Sequence, residues 1–186
     1  KAAEAFFIEL LGTAEIPVTM GLEERTLDIA EGSIIIEEDG YTQGDGEKVM
    51  YVGDYILTGT YADSTSAAAT ADTNQVKIYA GSSDIQVTLK NLSIKHHSGS
   101  GSNKNAGGIY SPIQVLSGTA ELNLEGNSTL IGDGNNSGLY IAQDAVAVIK
   151  GNGSIICYGG GPAPGIGACQ ISNGNAGLLI MESGTV

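Results

Sequence analysis

The chain is poor in exactly the residues that several function classes need. It has one arginine, Arg25, and only eight basic residues against 21 acids, for a net charge of -13. Such a surface repels phosphate backbones, which argues against nucleic-acid binding. Four prolines and few charges overall, with 28 glycines, argue against a disordered or proline-rich linker. No apolar run approaches the roughly 20 residues that span a bilayer, and no signal peptide stands at the start. There are two histidines, His96 and His97, adjacent in a polar stretch, where neighbouring side chains point apart and joint metal ligation is awkward. Two cysteines, Cys157 and Cys169, flank a Gly/Pro loop; they either close a disulfide or serve as small core residues, and spacing alone does not decide between these.

What is present is a recurring phrase: an alternating apolar run, a Gly/Asn corner, and a second apolar run. It reads Val87-Thr-Leu-Lys-Asn-Leu-Ser-Ile94, Leu122-Asn-Leu-Glu-Gly-Asn-Ser-Thr-Leu130, Val148-Ile-Lys-Gly-Asn-Gly-Ser-Ile155 and Leu179-Ile-Met-Glu-Ser-Gly-Thr-Val186. Aligning the aliphatic before each corner places Leu89, Leu124, Ile149 and Ile180 in one column, at intervals of 35, 25 and 31 residues. Short β runs, polar corners and coils of roughly 20–30 residues predict an all-β, right-handed, single-stranded parallel β-helix, a solenoid stabilised by stacking. An antiparallel sandwich is the weaker alternative, because two-residue Asn-Gly hairpin turns are scarce.

Two regions are expected: a lead-in or capping segment over 1–26 and the solenoid over 27–186, incomplete at its C-terminal end because Val186 stops within the phrase. Within the first, Phe6, Phe7, Leu10 and Leu11 have helical spacing, so residues 2–11 suit a short capping helix, with a strand as the alternative. Residues 61–73 and 96–105 read as protruding loops.

The runs Gly32-Ser-Ile-Ile-Ile-Glu-Glu-Asp-Gly-Tyr-Thr-Gln-Gly44, Gly53-Asp-Tyr-Ile-Leu-Thr-Gly59 and Pro164-Gly-Ile-Gly167, together with the phrase at 87–94, resemble secreted or cell-surface right-handed β-helix proteins of Gram-positive bacteria. The phrase ending Gly151-Asn-Gly-Ser-Ile155 is similar to β-helix carbohydrate-binding domains. This resemblance implies an extracellular, surface-associated module acting in adhesion or in glycan or protein binding, with calcium sometimes involved. It specifies architecture better than ligand.

Candidate site residues follow from chemistry. Glu37, Glu38, Asp39, Asp45 and Glu47 surround a Gly-rich loop and offer the hard oxygens Ca²⁺ prefers, although the spacing is not that of an EF-hand; Asp133 to Asn136 is a weaker candidate. Tyr41, Tyr110, Tyr140 and Tyr158 are candidate stacking platforms for a polysaccharide or contacts for a surface protein. Asn91, Asn127 and Asn152 fall near successive corners and suit a structural hydrogen-bond ladder. A polysaccharide-active enzyme is the alternative reading, but no paired carboxylates or strong base converge in the pattern, so a non-enzymatic module is expected. A structural subunit that self-associates through open coil ends is the third reading.

Overall fold

The computed structural model describes residues 24–63, 73–96, 110–169 and 175–186. Within them the chain forms sixteen strands and one 3-10 turn, Ile29–Glu31. The strands are β1 (Arg25–Asp28), β2 (Ile34–Glu37), β3 (Gly40–Gln43), β4 (Val49–Met50), β5 (Tyr55–Thr58) and β6 (Thr60–Ala62). Then come β7 (Val76–Tyr79), β8 (Ile85–Lys90), β9 (Ser93–Lys95), β10 (Ile113–Glu125) and β11 (Asn127–Ile131). The last are β12 (Leu139–Ile141), β13 (Ala145–Gly151), β14 (Ser154–Tyr158), β15 (Ile166–Gly167) and β16 (Leu178–Met181).

Alternation of aliphatic and polar residues makes strands such as β7, β8 and the second half of β10 two-faced, and the aliphatic face sets the core. In β8 the residues Ile85, Val87 and Leu89 are buried while Gln86 and Thr88 are half-buried. Parallel pairing then stacks like on like. The β1–β5–β8–β10–β13 registers run Leu27–Leu57–Leu89–Leu124 into Gly151, and beside it Tyr55–Val87–Leu122–Ile149. A second wall stacks Ile34–Val76–Ile113–Leu139 and Ile36–Ile78–Val115–Ile141. A third, four-stranded sheet of β6, β9, β11 and β14 contributes Ile94 and Leu130. Nearly all of these side chains are fully buried, each stabilising the fold by about 1.5–3 kcal/mol before entropy is counted.

The regular right-handed parallel β-helix predicted above is corrected here. Strand directions are mixed: β2, β3 and β4 form an antiparallel meander inside the same sheet as the parallel strands. Separate walls are not repeated coil by coil either, because β10 is a single 13-residue strand shared by two of them. Its first part pairs with β7 and β12, its second with β8 and β13, so that twelve strands join into one curled half-barrel sheet. The curl occurs where the β10 register shifts between Val115 and Ser117. Gly118 follows with φ +64, and a Cβ there would come within 2.5 Å of the Gly81 carbonyl oxygen, so only glycine lets the two backbones approach.

The expected repeat alignment is also corrected. Leu89 does pair with Leu124, but Leu122 rather than Leu124 pairs with Ile149, and Ile180 pairs with Val148. The residues between corners are not equal in number from one pass to the next, so a single column through all four phrases does not exist. No α-helix occurs among the described residues. The helix expected over 2–11 lies outside them, as do residues 64–72 and 97–105 of the two expected loops.

Candidate functional site

The acidic loop is held by its own neighbours. Lys48, carried by the segment before β4, reaches Glu37 at 2.7 Å and Asp39 at 2.5 Å. Its ammonium holds the Asp39 carboxyl below the usual carboxylate range, and the two carboxylates push the lysine up. Glu38 turns the other way and accepts from Ser82 Oγ at 2.6 Å, Ser83 Oγ at 3.0 Å and Ser82 N at 3.2 Å. Those bonds, from Ser82 first, lower its pKa. Asp45 and Glu47 are exposed on the connection from β3 to β4. The five acids expected to hold calcium are therefore split into two internally satisfied groups and two exposed residues. Among the described residues no three His, Cys, Asp or Glu side chains are grouped to hold a metal ion. A wide-open depression of about 530 Å³ lies over this region, lined by Glu37, Glu38, Asp39, Tyr79, Gly81 and Ser117.

The tyrosine platforms separate in the same way. Tyr41 and Tyr140 are buried, Tyr110 is half-buried, and Tyr158 is exposed. Tyr41 belongs to a cluster of edge-on rings with Tyr51 and Tyr55, whose centroids lie 5.1–6.4 Å apart, and the Arg25 guanidinium lies 5.3 Å from the Tyr41 ring centre. Burial, aided by its two ring neighbours, pushes the Tyr55 hydroxyl well above the ordinary tyrosine range.

Of the three asparagines, two are brought together. Asn91 adopts φ 50, and its Oδ1 accepts from Asn127 N at 3.0 Å. Asn127 Oδ1 in turn accepts from Ser154 Oγ at 2.7 Å, so serine stands where Asn152 was expected. Asn152 instead donates its backbone N–H to the Leu124 carbonyl at 3.2 Å. Cys157 and Cys169 are not joined in a disulfide. Burial raises the Cys157 thiol to about 12, and Cys169 Sγ lies 3.5 Å from Ser111 Oγ.

Sequence reasoning missed a buried polar seam where the third sheet meets the second wall. Gln114 and Tyr140 lie one residue out of step with the inward-facing Ile113, Val115, Leu139 and Ile141, on the face that alternation assigns to solvent, yet both are buried. Gln114 Nε2 donates to Gln75 Oε1 at 2.6 Å and to the Ser111 carbonyl at 3.2 Å. His96 joins the seam, with Nδ1 2.8 Å from the Tyr110 carbonyl oxygen and Nε2 2.9 Å from that of Asn74. Burial lowers its pKa, while the two carbonyls, Asp133 and Asp63 act in the opposite direction. The seam ties together chain segments far apart in sequence, and the signal that could have found it is a glutamine placed between two core aliphatics at Ile113-Gln-Val115.

Two exposed apolar surfaces lie elsewhere: Val49, Met50 and Val52 at β4, 45, 69 and 73% exposed, and a longer one at the β14–β16 end. Among the described residues β16 pairs only with β13. Leu178, Leu179, Ile180 and Met181 are 55, 36, 39 and 47% exposed. Registers with Ala147 and Ile149, both fully buried, show that Leu179 and Met181 continue the core columns. Ile156 and Tyr158 on the adjacent edge strand β14 are 48 and 58% exposed. The Glu182 N–H donates to the Ile149 carbonyl, so by the two-residue period the N–H and C=O of Ile180 also face β13, whereas those of Leu179 and Met181 face the open side.

No known protein family, curated protein or solved structure matches the chain. The kinship with Gram-positive surface β-helix proteins is corrected accordingly. The adhesin or glycan-binding β-helix module falls with it, as does the polysaccharide-active enzyme built on the same fold, because the curled, mixed-direction sheet is not that architecture. No helix among the described residues is long and apolar enough to cross a membrane.

Proposed function

We propose that this chain is a protein-docking module that accepts an added β-strand along the open edge of β16. The observation that carries this reading is a four-residue aliphatic edge strand, Leu178–Met181, exposed on both faces and, among the described residues, paired on one side only. Strand addition draws affinity from main-chain hydrogen bonds and specificity from alternate side chains. Here Leu179 and Met181 supply both: their backbone groups face outward along the edge, and their side chains lie at the end of a core that an added strand would complete. Covering the 36 and 47% of these two side chains that is still exposed gains about 0.5–1.5 kcal/mol each. Soluble domains normally blunt such edges with charge, proline or a bulge, and none of these interrupts Leu178–Met181.

Of the expected partners, a protein surface suits this end better than a polysaccharide, since two of the four tyrosine platforms are buried. Docking by strand addition requires no reacting group, so the reading is non-enzymatic. The test is titration of a labelled peptide spanning residues 176–184 against the chain, followed by anisotropy and by amide exchange at Leu179 and Met181. Saturable binding with slowed exchange is expected. Leu179→Pro and Met181→Pro remove edge N–H groups that β13 does not use, so they should abolish binding while leaving the fold intact. With the chain diluted to monomer, a peptide that fails to bind, or binding unaffected by either proline, overturns the reading.

A further inference from the structure

The β16 edge is self-complementary, which identifies its occupant. We infer that the partner docked on this edge is a second copy of the chain, joined antiparallel about a two-fold axis that passes through Ile180. The inference rests on the strand-acceptor reading above and adds the identity and geometry of the partner.

Three observations carry it. The first is parity. In an antiparallel pair, directly opposed residues share a face of the sheet. An axis through Ile180 sets Leu179 against Met181 of the second copy, so that both inward side chains of each copy are covered from the core side. It also makes that couple the hydrogen-bonded one, because the backbone groups of Leu179 and Met181 point to the open edge while those of Ile180 are turned to β13. Ile180 then meets Ile180 on the outer face, where Val148 already lies beside it.

The second is charge. Residues 1–54 carry 13 of the 21 acids and a net charge of -10. Of the strands in the described part of that stretch, β1 lies at the opposite edge from the open strand in the wall running through β5, β8, β10 and β13 to β16, and β2 to β4 end the other wall, beyond β7. Five inter-strand steps separate β1 from β16, roughly 24 Å at the usual spacing, beyond a physiological Debye length of about 8 Å. Joining open edge to open edge keeps the two acidic poles apart, whereas head-to-tail stacking would press the acidic pole of one copy onto its neighbour.

The third is closure. The wall that ends in β4 turns back on itself through the antiparallel meander, and the Tyr41–Tyr51–Tyr55 cluster fills the end of the core beside Arg25. An isologous contact uses up the β16 edge of both copies, so association through it stops at two; among the described residues the β4 end offers a second, shorter apolar edge, where Val49, in register with Tyr41 and Ile36, is 45% exposed.

The experiment is sedimentation equilibrium of the chain over a range of concentrations, with paired charge variants on the proposed axis. Ile180 is outward-facing and half exposed, so Ile180→Lys and Ile180→Glu leave the core intact, which circular dichroism of each variant checks. The wild type is expected to be a dimer, and each variant alone a monomer, because like charges meet at the axis. An equimolar mixture of the two variants should recover a heterodimer, since the opposed charges attract. A wild-type monomer, a dimer indifferent to both variants, or a mixture that stays monomeric overturns the two-fold pair. If the wild type is monomeric but still binds the 176–184 peptide, the self-pairing fails and the strand-acceptor reading stands; if it neither dimerises nor binds the peptide, both fail.

Discussion

The two ends of the sheet solve the same problem differently. At the β1–β4 end the last core column runs from Leu57 to Leu27, which is 2% exposed, and the neighbouring column ends on Tyr55, also 2% exposed, inside a ring cluster. At the β14–β16 end the equivalent columns run from Ala147 and Ile149, both fully buried, to Leu179 and Met181, which are 36 and 47% exposed. The interior of the sheet is the same aliphatic stack throughout. What differs, in the wall that runs from β1 to β16, is whether the Tyr41–Tyr51–Tyr55 cluster covers the last layer; in the neighbouring wall the β4 edge still leaves Val49 45% exposed.

The sharpest way to probe that contrast is to cut the same column in two places. Leu122→Ala, deep in the column, should cost about 2–5 kcal/mol through lost burial and the cavity left behind. Met181→Ala, two strands further along the same column, should cost under about 1 kcal/mol in the isolated chain because its site is half open. Urea denaturation of both variants measures the difference; equal costs would mean that Met181 is covered in solution.

The polar seam comes next in size. His96→Leu removes the ring between the Tyr110 and Asn74 carbonyls, and since a neutral imidazole carries a single N–H one donated hydrogen bond is lost, for which about 1–2 kcal/mol is expected. Burial lowers the His96 pKa, so the unfolded chain takes up the proton first, near the ordinary value of about 6.5. Its contribution is therefore complete above that pH and is lost as pH falls through the lower folded-state value. Relative to wild type, the pH profile of His96→Leu should be flatter across that interval. If the wild type instead gains stability on acidification relative to the variant, the buried ring is held as imidazolium by its two carbonyls.

At the closed end, Tyr55→Phe removes the hydroxyl that donates to the Tyr51 carbonyl at 3.3 Å. A loss of about 1 kcal/mol is expected, the usual net value of such a bond. Smallest of all is calcium. Because Lys48 already bridges Glu37 and Asp39, millimolar calcium should leave the thermal midpoint unchanged, and Lys48→Met should be needed before any chelator-reversible rise appears. A rise in the wild type would show that the lysine gives way to the ion.

Strand positions were largely legible because alternation reports directly which face is buried. Ile85–Leu89 declares itself in this way, whereas Ile34–Ile36, Tyr55–Thr58 and Leu179–Met181 show as short continuous apolar runs, and Leu89 with Leu124 even gives a correct pairing. Alternation does not name a strand's partner or direction, however. Gly40–Gln43 reads as loop, yet it folds back antiparallel on β2, because the charged turn at Glu38-Asp39 is short enough to reverse the chain. Register was lost after Leu124 for a related reason: the corner residues after each phrase differ in number, and one residue more or less moves every side chain to the other face. Buried polar groups were the least visible. Gln114 and Tyr140 sit at positions that the two-residue period assigns to solvent, and only the three-dimensional arrangement covers them.

The shared strand β10 has a mechanical consequence. Along the rest of the sheet, tension can unzip one parallel ladder at a time, each carrying only a few hydrogen bonds. Residues Ile113–Glu125 are clamped on both sides by β7 and β12 in one half and by β8 and β13 in the other. Drawing that strand out along its axis must shear four ladders together, which makes it the last element to yield and the girder against which both walls of the curl are braced.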